Sequence, residues 1–257
     1  MNILNENSGK IALVTGGSRG IGLGSAVALA HTAAKVILVG RDEQKLIYES
    51  NSINSSGGDA LYFKADFDST SSVDQLTNFC ESNNLIPDIL INGLGGGFGS
   101  NNWDSTSTYS RILNLNFLIA QELTAWVAPK MIEKNWGRVI YFGTLSVNKK
   151  SSPAPYVSAK SALGAYMKIM AKDIALKCPQ VVLSMISPGA ISVPGKFLNK
   201  IETEDPILLK KMIAEINIPA NRLGKISEIT ELLLFLCSNR SSYMHGSHIE
   251  IDGGASN

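Results

Sequence analysis

Apolar positions along the chain fall into two alternating rhythms. Short runs at residues 11–14, 35–39, 60–64, 89–91, 139–142, 181–186 and 248–251 carry dense apolar side chains, several of them without interruption. Unbroken runs of that length suit strands covered by helices on both faces, where no side of the strand meets water. Between them lie longer stretches, at 21–33, 73–83, 109–134, 156–177 and 226–239, whose apolar residues recur at helical spacing. The last has Ser227 and Glu228 near its start, as suits a helix N-terminus. Alternation of this kind predicts an α/β fold: a doubly wound, seven-stranded parallel sheet with helices on both faces.

One segment breaks the rhythm. Residues 194–220 are lysine-rich, begin with Pro194-Gly195, contain Pro219, and hold one amphipathic stretch at 207–216. Connections this long are either functional or plain insertions, so a lid over a site and a surface loop are both open. No repeat, linker or low-complexity tract divides the chain, and one domain over 1–257 is expected.

Composition narrows the class. At 44% hydrophobic and 18% charged, the chain has material for a large core and too little charge for disorder. Basic and acidic residues number 23 and 22, with no basic stripe, which argues against a nucleic-acid partner. Cys80, Cys178 and Cys237 are widely spaced and read as core residues of a reducing compartment. His31, His245 and His248 join no Cys or His cluster, so no metal is expected. The longest aliphatic run, at 232–237, is far too short to span a bilayer, and the polar N-terminus has no signal-peptide core. A cytoplasmic protein is expected.

Candidate chemistry sits at two places. After the first strand comes Thr15-Gly16-Gly17-Ser18-Arg19-Gly20-Ile21-Gly22, running into a helix. Glycines are needed where backbone turns sharply and approaches a pyrophosphate, and the helix N-terminus offers free N–H groups to that anion. The second strand ends in Gly40-Arg41, where an NAD-selective fold usually has an acid. Without that carboxylate, Arg41 and Arg19 are placed to pair with a 2′-phosphate, which favours NADP(H) over NAD(H). The second place is Tyr156-Val157-Ser158-Ala159-Lys160. One helical turn brings Tyr156 and Lys160 to one face. An ammonium there is expected to pull the phenol's pKa down and make it an acid–base group near neutral pH. Of the seven tyrosines, Tyr156 alone has a lysine four residues on.

These motifs, in this order, resemble the short-chain dehydrogenase/reductase family in its compact form, of the 3-oxoacyl-carrier-protein-reductase kind. The glycine turn is similar to that family's Thr-Gly-x-x-x-Gly-x-Gly. Asp66 and Phe67 resemble the pair facing the adenine, and Asp88-Ile89-Leu90-Ile91-Asn92-Gly93 resembles the strand-four motif. Pro188-Gly189, followed by Ile191, is similar to the turn beside the nicotinamide. Arg222-Leu223-Gly224 and Asp252-Gly253-Gly254 resemble the C-terminal signature. The resemblance implies a Rossmann-type NAD(P) domain. Its cofactor contacts would be Gly16, Ser18, Arg19, Ile21, Arg41, Asp66, Phe67, Asn92, Tyr156, Lys160, Pro188, Gly189 and Ile191. It further implies a catalytic set of Asn116, Thr144, Tyr156 and Lys160, acting on a small-molecule ketone or alcohol.

The chain departs from the family at a few points. The usual serine before the tyrosine is replaced by Thr144, with Ser146 as the other candidate hydroxyl. Gly93 replaces a second asparagine, and Val193 stands where a threonine often meets the cofactor. Phe98, Trp103, Met185 and Phe197 are candidates for an apolar pocket or for packing, while Lys149, Lys150, Lys196 and Lys200 are loop cations near the same end. The implied reaction is carbonyl reduction by NADPH. Alcohol oxidation in the reverse direction and a non-turnover dinucleotide-binding scaffold remain the alternatives. The resemblance also implies a homodimer or homotetramer paired through 109–134 and 156–177.

Overall fold

The computed structural model describes residues 6–96, 105–145 and 152–256. Seven strands form the expected parallel sheet: β1 (Ile11–Thr15), β2 (Lys35–Gly40), β3 (Asp59–Lys64), β4 (Ile89–Asn92), β5 (Gly137–Phe142), β6 (Val181–Pro188) and, last in the chain, β9 (Ser247–Ile251). Their order across the sheet is β3-β2-β1-β4-β5-β6-β9. Successive residues of a strand face opposite sides, and here both sides are apolar. Leu13, Ile37, Leu90, Val139 and Leu183 enter one core with α3 (Ser72–Ser82), α5 (Ile119–Glu133) and α6 (Ala154–Lys177). Ala12, Val14, Leu38, Ile91 and Ile140 enter the other with α1 (Gly20–Ala30), α2 (Glu43–Ser55) and α9 (Ile226–Leu236). That double burial is why the strands read as continuous apolar runs.

Three elements differ from expectation. Helix α2 went unpredicted because only Leu46, Ser50 and Ile53 are buried on it, too sparse a stripe among polar residues. Its start is nonetheless marked by Asp42, whose side chain accepts a hydrogen bond from Lys45 N at 3.2 Å. The helix expected over 109–134 begins earlier, as α4 (Thr106–Leu113), and is broken by a π-helical turn at Asn114–Leu118 before α5. The segment after β6 is more ordered than one amphipathic stretch. It carries β7 (Ile191–Ser192), α7 (Phe197–Glu204) and α8 (Pro206–Ile216), and β7 pairs with β8 (Gly224–Lys225) in a separate small sheet.

β1 lies between β2 and β4, and the chain winds away from it in both directions. In such sheets the crevice beyond the carboxyl ends of the central strands is where ligands bind. Here that crevice is a cavity of about 740 Å³.

Candidate active site

The floor of the cavity is backbone brought unusually close. Gly16 has φ +68°, and a Cβ there would stand 2.6 Å from Gly93 O; one on Gly93 would stand 2.5 Å from Thr15 O. Contact with the turn thus accounts for the glycine at 93. Thr15 Oγ1 fastens the two segments, accepting from Gly93 N at 3.1 Å and Leu94 N at 3.2 Å. The turn then opens into α1, whose first N–H groups have no intrahelical partner.

At one end the wall consists of Gly40, Arg41, Asp66, Phe67 and Asp68, with Ser18 and Arg19 from the turn. Arg19 lies 3.7 Å from Asp42 across an exposed ion pair. Asp68, unremarked in the sequence, is held by Arg111 through two bonds of 2.9 and 2.8 Å. The hydrogen bond from Arg111, with the nearby charges of Arg111 and Arg41, keeps the Asp68 carboxyl below the usual range. Asn114 Nδ2 donates to Phe67 O at 3.1 Å, a second tie between this wall and the helix carrying Asn116.

At the other end are Phe142, Gly143, Thr144, Tyr156, Lys160, Pro188, Gly189 and Val193. Helix α6 begins just after Pro153, and its first two turns carry Tyr156 and Lys160. The Tyr156 hydroxyl is hydrogen-bonded with Thr144. Lys160 Nζ donates to Phe142 O at 2.8 Å. Asn116, in the π turn, is buried and clamps Gly96: its Oδ1 accepts from Gly96 N at 2.9 Å, and its Nδ2 donates to Gly96 O at 3.1 Å and Ile112 O at 2.9 Å. The widened turn of a π-helix is a recurrent means of presenting a functional side chain. A Cβ on Gly95 would meet both Asn116 Oδ1, at 2.6 Å, and Lys160 Nζ, at 3.2 Å, so the two side chains converge on that glycine.

The expected pKa pattern is reversed by burial. Desolvation raises the Tyr156 phenol above its ordinary value, with the Thr144 hydrogen bond opposing it, and desolvation lowers Lys160 to about 8. The ammonium is itself sunk in the wall against a carbonyl, so burial and the Thr144 hydrogen bond, rather than the lysine's charge, govern the phenol. A stability effect follows. Folding lowers the Lys160 pKa from 10.5 to about 8, so between those values the unfolded chain binds the extra proton. The cost of the buried charge, roughly 3 kcal/mol, is complete below pH 8 and is relieved as pH rises toward 10.5. Urea unfolding of wild type and Lys160→Met at pH 7.5 and 9.5 is expected to show wild type gaining on the variant by roughly 1–3 kcal/mol at the higher pH. A difference that does not change with pH would contradict the burial argument.

Not every expected residue faces the cavity. Asn92, Asn116 and Ile191 are absent from its lining. Asn92 is buried at the end of β4, with both amide atoms lacking a partner among the described residues. Ile191 is half-buried in β7 and packs against the core around α9. Met185 is buried in the sheet core and Phe197 is 64% exposed on α7, so neither lines the cavity. Phe98, Trp103, Ser146, Lys149 and Lys150 lie outside the described residues. Lys196, expected as a loop cation, is in the cavity wall. No group of three or more metal-ligating side chains occurs among the described residues, and none of their helices is long and apolar enough to cross a membrane.

Comparison with known proteins bears on this geometry. A family model described as short chain dehydrogenase matches residues 10–203. The 7alpha-hydroxysteroid dehydrogenase of Escherichia coli K12 is 32% identical over 249 residues, covering 96% of this chain and 94% of that protein. A crystal structure of 3-oxoacyl (acyl-carrier-protein) reductase from Agrobacterium tumefaciens C58 with NADP bound superposes with a TM-score of 0.88 at 26% identity, covering 98% of this chain and 96% of that one. A 7 alpha-hydroxysteroid dehydrogenase complexed with NADH and 7-oxo glycochenodeoxycholic acid gives 0.86 at 27% identity, covering 99% and 97%.

Proposed function

This chain belongs to the short-chain dehydrogenase family, and on that premise we propose that it is an NADPH-dependent carbonyl reductase with Tyr156 as general acid. The observation that carries the reading is the junction of two parts in one cavity: a bare glycine turn at one side, and Tyr156 bonded to Thr144 beside Lys160 at the other. The residues fit a nicotinamide dinucleotide. Gly16 and Gly22 let the turn, β4 and the start of α1 pack backbone against backbone, which sets the N-terminus of α1 in the cavity wall where a pyrophosphate would sit. Gly16, Ser18, Arg19 and Ile21 would hold the phosphates, Asp66 and Phe67 the adenine side, and Lys160, Pro188 and Gly189 the nicotinamide side.

The bound nicotinamide supplies the hydride. Tyr156 donates its proton to the oxygen of the carbonyl as negative charge develops there, and burial keeps it in the protonated form that donation needs. Thr144 holds and orients that oxygen; a donor aimed at a developing oxyanion is commonly worth about 2.7–4 kcal/mol. Lys160, with its pKa near 8, is placed to bind the ribose and pass protons toward Tyr156. Asn116 fixes the Gly95-Gly96 backbone beside that ammonium. A scaffold that merely binds the cofactor has no use for the Tyr156–Thr144 pair, which supports turnover.

The choice of NADPH rests on Arg41 and Arg19 in the wall and on Gly40, whose missing side chain leaves room beside Ser18. Reduction of ketones, with 7-oxo steroids, 3-oxoacyl thioesters and keto sugars as the panel, is expected to show higher kcat/KM with NADPH than NADH. Arg41→Ala is expected to remove about tenfold or more of that preference, the worth of one charge-assisted bond to phosphate. An unchanged preference would contradict the assignment. Pairing of two copies through α5 and α6 is part of the same proposal, and the exposed Ile169 and Leu176 on α6 are available for it.

A further inference from the structure

The turn between β7 and α7 is built to a degree that a surface insertion does not require. Ser192 Oγ donates to Glu202, Asn199 Nδ2 donates to Ser192 Oγ at 3.1 Å, and Gly195 N donates to Asn199 Oδ1 at 3.2 Å. Lys196 N closes the turn on Val193 O at 3.0 Å. The turn is also anchored from below, because Ile191 and Ser192 pair with Gly224 and Lys225. Four hydrogen bonds and a strand pair therefore fix the place of Lys196, the residue that caps α7.

That position overlooks the glycine turn. A Cβ on Gly20, the first residue of α1, would touch Val193 Cγ1 at 3.4 Å. The 193–196 turn thus lies against the N-terminus of α1, where a pyrophosphate would sit. Val193 presents only methyl groups there and has no hydroxyl to offer. Arg19, in the glycine turn itself, and Lys196 are both in the cavity wall. Arg19 leans toward Asp42, whereas Lys196 has no ion-pair partner among the described residues. Its side chain is exposed, so it keeps the freedom to reach inward.

We propose that Lys196 is a cofactor-binding residue, its ammonium closing over the dinucleotide pyrophosphate from the start of α7. The inference rests on the cofactor reading above and adds a contact that the glycine turn alone does not supply. The turn that carries Lys196 is already fixed, so only the lysine side chain has to reach inward to meet the cofactor's charge. Because both nicotinamide dinucleotides share the pyrophosphate, the contact contributes to each equally. Arg41, in the wall with Asp66 and Phe67, discriminates between them.

The test is direct binding, followed by nucleotide fluorescence, of NADPH and NADH to wild type, Lys196→Met and Lys196→Arg. The methionine variant is expected to weaken both nucleotides by a similar factor, about tenfold at low salt, and less at high salt as the charge is screened. The arginine variant is expected to bind nearly as wild type. If Lys196→Met binds both as tightly as wild type, the inference falls while the cofactor reading stands. If only NADPH is weakened, the charge serves the 2′-phosphate and the pyrophosphate assignment is wrong. Wild-type protein that binds neither nucleotide overturns the cofactor reading and this inference together.

Discussion

Replacing Tyr156 by phenylalanine is expected to lower kcat by about 10²–10⁴-fold, the usual range for a positioned general acid, while NADPH stays bound with little change in Kd. The separation of the two effects follows from what the ring and the hydroxyl each do. The ring is largely buried at the start of α6, and phenylalanine keeps that packing, so the cavity wall retains its shape. The hydroxyl, bonded to Thr144, is the only atom lost. Removing it leaves Thr144 to hold the carbonyl oxygen but nothing to protonate it, so chemistry stops while binding persists. Burial raises the phenol's pKa, so the wild-type hydroxyl is protonated and competent to donate at neutral pH. Equal loss of NADPH binding and turnover would instead assign Tyr156 a structural part.

The second large effect belongs to Gly22. An alanine Cβ there would overlap the carbonyl of Gly16 and press on its carbon at 2.8 Å, and both partners are backbone with no side chain to move aside. Either α1 shifts along its axis or the glycine turn opens. Overpacking of this kind costs about 1–3 kcal/mol, which in a chain of this size lowers Tm by about 2–10 °C. The cofactor is affected too. Displacing backbone N–H groups that cradle a phosphate is expected to weaken NADPH binding by about tenfold or more, the worth of one charge-assisted bond. Thermal unfolding and nucleotide titration of Gly22→Ala check both figures. Wild-type affinity in that variant would show that the turn does not hold the pyrophosphate.

The sheet was legible because both of its faces are apolar: the strands announce themselves as unbroken runs, and the helix lengths between them imply parallel pairing. Helix α2 was not, since of its three buried positions only Leu46 and Ile53 are apolar, which is too sparse a stripe to read; only the cap at Asp42 signals it. The π turn at Asn116 was also invisible. A π insertion changes the backbone by one residue per turn and leaves the apolar pattern of 109–134 nearly intact. In the site, glycines and the Tyr156–Lys160 spacing were readable because they encode local geometry. Asp68, Arg111 and Lys196 were not. Asp68 and Arg111 meet across 43 positions, and Lys196 reaches the cavity only because the turn at 192–199 folds back on α1. The raised pKa of Tyr156 is not readable from spacing for the same reason: spacing fixes which groups are neighbours, while burial, which decides the shift here, depends on the whole fold.

The central claim is that this cavity moves a hydride to a carbonyl carbon and a proton from Tyr156 to its oxygen. NADPH deuterated at the transferred C4 position, incubated with the carbonyl panel and followed by mass spectrometry, tests it most directly. Wild type is expected to yield an alcohol carrying one deuterium on the former carbonyl carbon, and Tyr156→Phe, with NADPH bound, is expected to yield almost none. Deuterium transfer at equal rates in the two proteins, or none in wild type with NADPH and substrate both bound, would contradict the account.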